Sequence, residues 1–516
     1  MPIYDYIIVG GGISGLFMSY KLSQTGKNIL LVESANRLGG RIHTVTKDGI
    51  HFEAGAARIG QKHHKMMSLL KELELDDQLT PLSDKIKYNI KGPSIRFESL
   101  VNDLLQGSKL YTKKYLQGIN LYQLCIDVLG YEGATLFKDM LGYDSEFSKL
   151  NAYQGIKSYT RDLFSDTDYY TIKEGLSVVI NTLSEKLSES DNVTIKMETK
   201  VSDIGSNYVL IGKTKIYSAT IICCTPYDTI KRLPKFSEVK EIHSVSPIPV
   251  LRIYATYPKD TTGHVWFHDV PRTITDNYIR QIIPIDYEKG IIMISYTDGL
   301  YADMWSNLSK QGNKVLIERL HKELKEVLGK KIPKPDFITT HYWSAGIHLW
   351  KPGLNVKEEY QKVLQPFQHE KIFVVNEAYS LHQGWMEGSL ESAYDVLELL
   401  HENFEREKPK KGGSQTVSKI YSLETVLKKK TWIVLDIKKQ LRIYDVAKWL
   451  SKHPGGKANL EKGIEANKHY KDSIKHPDSP IHLFKGISAH SDADVIEKKL
   501  LTKNEYVRYI GIMKKV

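Results

Sequence analysis

The order of apolar segments predicts an α/β protein whose first sheet is assembled from distant parts of the chain. Tyr4 to Val9 is typical of a buried strand, Ile13 to Leu22 continues with helical spacing, and residues 28–34 (NILLVES) form a second strand. Together they make a β-α-β unit of about 30 residues. Two later apolar runs, at 216–226 and 371–380, predict further strands of the same sheet. The long insertions between these strands predict a second, interleaved α+β domain.

A separate unit is predicted at the C-terminal end. Tyr394 to Phe404 is typical of a terminal helix, and the charged, Pro-, Gly- and Ser-containing segment that follows lacks periodicity, which indicates a linker. The predicted boundaries are about 1–65, 190–240 and 365–404 for the first domain, about 66–189 and 241–364 for the interleaved domain (1–404 together), 405–430 for the linker, and 431–516 for a small α+β domain.

Length and composition indicate a soluble protein with several cores. A chain of 516 residues is too long for one hydrophobic core, and 41% hydrophobic with 26% charged residues is ordinary for globular proteins. No apolar run approaches the roughly 20 residues that span a bilayer. The first apolar segment contains Asp5 and runs into a glycine turn, unlike a signal peptide. Three cysteines are too few for a disulfide framework, so we expect a cytoplasmic protein.

The positive charge belongs to the C-terminal part. The last 116 residues contain 25 Lys and Arg against 14 Asp and Glu, which accounts for the whole net charge of +11. Such a surface attracts acidic proteins, nucleic acid or anionic membranes. Because the basic residues are scattered among acidic and apolar ones, we favour a solvated surface, or a redox partner, over nucleic acid.

A glycine-rich turn joins the first strand to the first helix. Gly10, Gly12 and Gly15 have the G-x-G-x-x-G spacing, in which the glycines allow a tight turn, close approach of a pyrophosphate and close helix packing. The anion then lies at the helix N-terminus. Glu33 ends the second strand, 18 residues after Gly15, where a carboxylate binds ribose hydroxyls. This combination predicts a dinucleotide site.

Three further segments carry a family resemblance: SANRLGGRIHT after Glu33, HFEAGAARIG at 51–60, and NEAYSLHQGWMEGSLESA at 376–393. In this order they resemble the signatures of the flavin amine oxidases, which implies an FAD domain and a substrate domain over residues 4 to about 400. Asn376 departs from the usual glycine before Glu377. No cysteine lies near the last signature, so the resemblance implies non-covalent FAD. The cofactor-binding residues that it implies, with the glycine turn, are Gly10, Gly12, Ile13, Ser14, Gly15, Glu33, Ser34, Gly40, Arg41, Gly55, Ala56, Ala57, Arg58, Val201, Glu377, Gly384, Trp385, Met386 and Glu387.

Arg58 distinguishes between substrates. It resembles the arginine of L-amino-acid oxidases that binds the substrate carboxylate, for which a permanently charged, bidentate guanidinium is suited. The resemblance also implies that Tyr296 shares that carboxylate, that Trp385 forms one wall of the substrate cage, and that Arg252 stands where relatives have a lysine near the flavin. A surface or phosphate-binding role for Arg58, a core position for Tyr296 and an exposed position for Arg252 remain open alternatives.

The C-terminal segment IYDVAKWLSKHPGG, led by Trp432, resembles the cytochrome b5 haem-binding motif. The resemblance implies haem b with His453 as one axial iron ligand, and His490 is the candidate for the second. Their separation of 37 residues is longer than the family spacing, and His469, His476 and His482 compete with His490. A domain of this fold that binds a partner without haem is the alternative.

The resemblances imply FAD-dependent oxidation of an L-amino acid to a 2-oxo acid, ammonia and hydrogen peroxide, with oxygen as acceptor and haem as a second electron route. An amine or polyamine oxidase is the first alternative. A non-catalytic flavoprotein or binding module is the second.

Overall fold

The computed structural model describes residues 4–82, 85–93, 95–162 and 168–407, together with four short strands nearer the C-terminus. The chain divides into two compact units, Met1–Glu407 and Lys408–Val516. The strands of the first unit are β1 (Tyr4–Val9), β2 (Ile29–Val32), β3 (Thr44–Lys47), β4 (Ile50–Glu53), β5 (Ile59–Gly60), β6 (Leu79–Pro81), β7 (Ile86–Asn89), β8 (Tyr169–Ile172), β9 (Val193–Lys196), β10 (Val201–Ile204), β11 (Tyr208–Ile211), β12 (Thr214–Cys223), β13 (Val245–Thr256), β14 (Arg272–Thr275), β15 (Gln281–Asp286), β16 (Ile291–Asp298), β17 (Phe337–Trp350) and β18 (Ile372–Val374).

Its helices are α1 (Ile13–Ser23), α2 (His64–Glu72), α3 (Phe97–Ser108), α4 (Lys113–Gly118), α5 (Leu121–Leu141), α6 (Ser145–Lys149), α7 (Ala152–Asp162), α8 (Ser177–Ser188), α9 (Tyr227–Ile230), α10 (Gly299–Ser309), α11 (Asn313–Leu328), α12 (Val356–Leu364) and α13 (Met386–Glu407). None of the helices in the described part of the chain is both long and apolar enough to cross a membrane.

The first sheet has a parallel centre built from distant segments. Its parallel order is β9-β2-β1-β12-β18, and the antiparallel pair β10-β11 continues from the N-terminal half of β12. The central strands are buried on both faces, as parallel strands covered by helices are. The predicted α/β class and the assembly of this sheet from distant segments are confirmed. The apolar run at 371–380 is a strand only over Ile372–Val374.

The second sheet is mostly antiparallel and lies within the insertions. Its order is β17-β13-β16-β15-β14-β7, and only the β14–β7 pair is parallel. Its core includes Leu251, Ile253, Ile292 and Trp305, which are all fully buried. Helices α3 to α7 form a further apolar cluster around Phe137. The interleaved α+β architecture therefore follows from strands of one sheet alternating along the chain with strands of another.

The C-terminal unit contains a four-stranded sheet. Its strands are β19 (Lys419–Tyr421), β20 (Trp432–Ile437), β21 (Gln440–Asp445) and β22 (Arg508–Met513), in the order β19-β22-β21-β20. The two predicted haem ligands, His453 and His490, lie outside the described residues.

The predicted terminal helix of the first unit, expected from Tyr394 to Phe404, is longer than expected. It begins at Met386 and continues to Glu407.

Candidate functional site

The glycine turn between β1 and α1 has a backbone that only glycine adopts easily. Gly10 has φ of +108°, and a Cβ there would stand 2.8 Å from the Cys224 carbonyl oxygen. A Cβ at Gly15 would stand 1.9 Å from the Gly10 carbonyl oxygen, so helix and turn are in direct contact. At Gly12 no protein atom lies within 4 Å of the Cβ position. The turn is therefore closed by backbone contacts at Gly10 and Gly15 and open at Gly12, where a phosphate can approach.

We expect Gly15→Ala to disrupt this turn, because the added methyl group meets backbone rather than a mobile side chain. The variant should retain much less FAD after purification. It should also unfold at a lower temperature, because its free energy of unfolding falls by an amount on the order of 1–3 kcal/mol. Flavin absorbance per mole of protein measures the first effect. Gly118→Ala is the matched control, since Gly118 ends α4 with nothing within 4 Å of its Cβ position. Equal flavin content in both variants would contradict the expectation.

The acid at the end of β2 is held in place by main-chain donors. Glu33 Oε2 accepts a hydrogen bond from the Gly11 amide at 2.6 Å, and Oε1 accepts one from the Ala35 amide at 2.8 Å. The carboxylate lines a cavity that begins at the glycine turn. Its position next to the turn is the one that a ribose-binding acid requires.

The cavity has a volume of about 520 Å³ and runs from the glycine turn to Tyr296 and Trp385. The predicted cofactor-binding residues that line it are Gly10, Gly12, Ile13, Ser14, Glu33, Ser34, Gly40, Arg41, Gly55, Ala56, Val201, Glu377, Gly384, Trp385 and Met386. Four others, Gly15, Ala57, Arg58 and Glu387, are not among its lining residues. Both carboxylate oxygens of Glu387 instead accept backbone N–H groups at the start of α2, from Lys65 and Met66.

Further lining residues carry no motif in the sequence. They include Thr199, Lys200, Thr225, Asp228, Val250 and the β17 segment 343–347. Of the aromatic and histidine side chains at 341–350 of β17, only Trp343 lines the cavity, and its Nε1 donates to the Ala54 carbonyl oxygen at 2.7 Å. Trp350 and His348 are buried in the core, and Tyr342 is on the surface.

A buried ion pair joins three distant segments at the cavity wall. Glu377 Oε2 accepts hydrogen bonds from Arg41 Nη1 at 2.6 Å and His348 Nδ1 at 3.0 Å, and its Oε1 accepts one from the Gly384 amide at 2.8 Å. Arg41 Nη1 also donates to the Gly346 carbonyl oxygen at 2.9 Å. Burial alone raises the pKa of the Glu377 carboxyl, but Arg41 and His348 outweigh it and hold that pKa well below its ordinary range. Glu377 is therefore ionised and orients Arg41.

Arg252 lies on the cavity wall and is buried, with 8% of its surface exposed. The alternative of an exposed strand position for Arg252 is therefore wrong. Its Nη1 donates to the Glu53 carbonyl oxygen at 2.9 Å, and its guanidinium lies over the Tyr296 ring, 4.8 Å from the centroid. Burial raises the pKa of the Glu53 carboxyl, and the Arg252 charge opposes that rise. Arg252 is thus a fixed cation on β13, where it pairs with Tyr296 of the neighbouring strand β16.

Arg58 lies in a group of aromatic side chains next to the cavity. Its Nη2 donates to the Tyr143 hydroxyl at 3.2 Å, and its guanidinium carbon is 5.3 Å from the Tyr169 ring centroid and 5.4 Å from that of Trp385. The Tyr169 and Trp385 rings are parallel, with centroids 5.7 Å apart. Tyr143 also meets Tyr296 edge to face at 5.7 Å. We call this group (Arg58, Tyr143, Tyr169, Tyr296 and Trp385) the aromatic chamber.

The aromatic chamber adjoins the cavity through Tyr296 and Trp385, which belong to both. All five side chains are half-buried and so remain accessible. Among the described residues no carboxylate forms an ion pair with Arg58. Tyr143 and Tyr169 belong to no recognised motif, and their role could not be seen in the sequence.

The residues of the cavity fit FAD. The turn offers backbone N–H groups at the N-terminus of an 11-residue helix, open at Gly12, and Glu33 lies beside it. Arg41 supplies a cation, and the acid next to it, Glu377, already accepts hydrogen bonds from Arg41, His348 and Gly384. The cavity therefore offers anion-binding groups at its nucleotide end and aromatic walls at the other end.

Fold and site together define a flavoprotein oxidoreductase that acts on CH–NH2 groups. The chain belongs to the family of flavin containing amine oxidoreductases, whose model matches residues 13–396. It is similar to Aplysianin-A of Aplysia kurodai, with 24% identity over 76% of this chain and 89% of that protein. The flavin-containing amine oxidase A of Equus caballus is 31% identical over a shorter region, 18% of each chain. A double mutant of putrescine oxidase has the same fold, with a TM-score of 0.61 and 15% identity over 77% of this chain and 99% of that one.

Proposed function

We propose that this enzyme oxidises an L-amino acid, with water and oxygen, to a 2-oxo acid, ammonia and hydrogen peroxide. The observation that carries the proposal is Arg58. Its guanidinium is among aromatic rings beside the flavin cavity, with no carboxylate partner among the described residues. A cation in such surroundings is stabilised by a ligand that supplies the carboxylate.

The residues divide the work between cofactor and substrate. The Gly10–Ser14 turn, Glu33, Arg41 and Val201 would hold FAD, and Gly384–Met386 would lie against its ring system. When bound, FAD supplies the oxidation by accepting a hydride from the substrate α-carbon. Trp385 and Tyr169 exclude water on one side of the chamber.

The substrate itself is positioned by three residues of the chamber. Arg58 binds the α-carboxylate as a bidentate partner, and Tyr143 fixes the Arg58 guanidinium through its hydrogen bond. Tyr296 offers a second hydroxyl near the same carboxylate. Arg252 is permanently charged, so it supplies a positive charge to the cavity wall at all relevant pH values without moving a proton.

An amine oxidase is the second candidate. Relatives named as amine oxidase A and putrescine oxidase favour it. A simple amine has no carboxylate, however, and would leave the Arg58 charge without a partner. The chamber of this chain therefore favours an amino acid.

The test is anaerobic mixing of the purified, FAD-loaded full-length protein with single amino acids and amines, followed by the flavin absorbance band. We expect bleaching by at least one L-amino acid and none by its D-enantiomer. Bleaching by amines alone would overturn the proposal in favour of the amine oxidase.

For the C-terminal unit the proposal is haem b between His453 and His490, with haem as a further electron acceptor or as the contact to a redox partner. The support is the sequence motif around His453. A sharp haem absorbance band in the purified protein, lost in both His453→Ala and His490→Ala, is the expected result. Absence of that band from protein purified with haem supplied would overturn it and leave a partner-binding role. A cytosolic location is also proposed, supported by three cysteines that are all buried and unbridged.

A further inference from the structure

Another arginine, besides Arg252, lies beside the aromatic chamber. Arg272 begins β14, is half-buried, and donates from Nη2 to Gln281 Oε1 at 3.0 Å. Its Nε is buried and has no hydrogen-bond partner among the described residues. Gln281 itself is fully buried, and its amide lies 3.2 Å from the position of a Cβ at Gly142, directly before Tyr143. Arg272 is therefore held by β14 and β15 close to the residue that hydrogen-bonds Arg58.

Tyr143 interacts with both arginines. Its hydroxyl accepts from Arg58 Nη2 at 3.2 Å. Burial raises the pKa of Tyr143 to about 12, and the charges of Arg58 and Arg272 both oppose that rise. Burial lowers the pKa of Arg272, and the charge of Arg58 lowers it further. The charges of the two guanidiniums thus act on the same tyrosine and on each other.

Within the described part of the chain, no acid neutralises this pair of charges. Arg280, in the turn between β14 and β15, shows how a buried arginine is usually compensated. It is 1% exposed and is paired with Asp139 at 3.4 Å and Asp144 at 3.1 Å. No such carboxylate accompanies Arg58 or Arg272 among the described residues.

We propose that the substrate is an acidic L-amino acid, whose α-carboxylate binds Arg58 and whose side-chain carboxylate binds Arg272. The inference rests on the proposed amino-acid oxidation. A ligand with two carboxylates compensates both guanidiniums, whereas a neutral side chain leaves the Arg272 charge desolvated and a basic side chain adds a further cation. Gln281 orients the Arg272 guanidinium by accepting a hydrogen bond from its Nη2. The Nε of Arg272 has no partner among the described residues.

The first experiment compares kcat/KM of the FAD-loaded full-length protein for L-glutamate and L-aspartate with that for the matching amides, L-glutamine and L-asparagine, and for L-lysine. The amides keep the shape of the acids and lose the charge. We expect the better acid to exceed its amide by about 100-fold or more, because it alone forms the second ion pair. An amide or L-lysine used equally well would overturn the inference.

The second experiment removes the second cation. In Arg272→Gln we expect the ratio of kcat/KM for acid over amide to fall to near one, mainly through KM for the acid. Arg96→Gln is the matched control, since Arg96 is 85% exposed and loses the same charge outside the chamber; its ratio should equal that of the unaltered protein. An acid preference that persists in Arg272→Gln would contradict the role of Arg272.

Binding without turnover separates this inference from the proposed function. Glutarate and butyrate can be titrated against the flavin absorbance of the oxidised protein. Glutarate should bind at least about tenfold tighter than butyrate, and this difference in affinity should disappear in Arg272→Gln. If Arg272→Gln does not fold, the difference should become smaller in Arg272→Lys. If no amino acid bleaches the flavin, the proposed function fails while this titration still decides on a dicarboxylate site. If neutral amino acids are oxidised and glutarate has no advantage, only the present inference fails.

Discussion

Replacing Arg58 with Met should lower kcat/KM for every L-amino acid by roughly 10²- to 10³-fold, because losing one partner of a desolvated ion pair costs about 3–4 kcal/mol. Methionine retains much of the aliphatic volume, so the chamber should keep its shape. The loss should be mainly in KM if Arg58 binds the ground state and in both constants if it also orients the α-hydrogen. Steady-state kinetics at fixed oxygen measures both.

Arg58→Lys is the informative companion. It keeps the charge and loses the planar, bidentate geometry, so its kcat/KM should lie between that of the unaltered protein and that of Arg58→Met. The visible absorbance of the bound flavin should be the same in all three proteins, which shows that the cavity is intact. Amino-acid turnover by Arg58→Met at the original rate would show that Arg58 does not bind the carboxylate.

The second large effect is expected for Glu377→Gln, which removes the acid from the buried cluster with Arg41 and His348. Breaking a buried ion pair by losing one partner costs about 3–5 kcal/mol in the free energy of unfolding. Arg41 lines the cavity, so the variant should also release FAD more easily. Denaturant unfolding and flavin fluorescence after gel filtration measure the two losses. Glu370→Gln is the control, since Glu370 pairs with Lys235 at 2.7 Å at a quarter-exposed position and should cost less than about 1 kcal/mol.

Acid should reduce the difference between Glu377→Gln and the unaltered protein. The folded-state pKa of Glu377 lies below its ordinary value of 4.5, so its stabilisation is fully present above that pH and is lost as the pH falls below it. The unaltered protein therefore loses stability on acidification that the variant has already lost. A difference that stays constant from pH 7 down to pH 3 would exclude this ionisation as the source.

The local parts of the fold could be predicted from sequence, because strand, glycine turn and helix follow one another within the first 33 residues. The motif residues Arg41 and Glu377 could also be named. Their direct ion pair could not, since 336 residues separate them and no local pattern specifies the contact. The order of the second sheet was likewise out of reach, because pairings such as Arg252 with His341 depend on long-range antiparallel register.

The aromatic chamber could be predicted only in part. Arg58, Tyr296 and Trp385 follow from the family resemblance, whereas Tyr143 and the neighbouring Arg272 occupy unremarkable positions in the sequence. Tyr143 follows the glycine that ends α5, and Arg272 enters through the parallel pairing of β14 with β7. Side chains that meet only through tertiary packing have no characteristic spacing in the sequence. Their role therefore follows only from the charges and contacts of the folded chamber.

The assembly of the first sheet from distant segments also constrains how the enzyme is made. Strand β12 pairs with β1 and with β18, so the parallel sheet is complete only when residues 372–374 have been synthesised. A nascent chain that stops earlier has an open sheet edge and an Arg41 without its acid. Contacts across such separations form slowly, and unpaired strand edges promote aggregation meanwhile. Flavin capture must therefore come late in biosynthesis, after more than seven-tenths of these 516 residues have been synthesised.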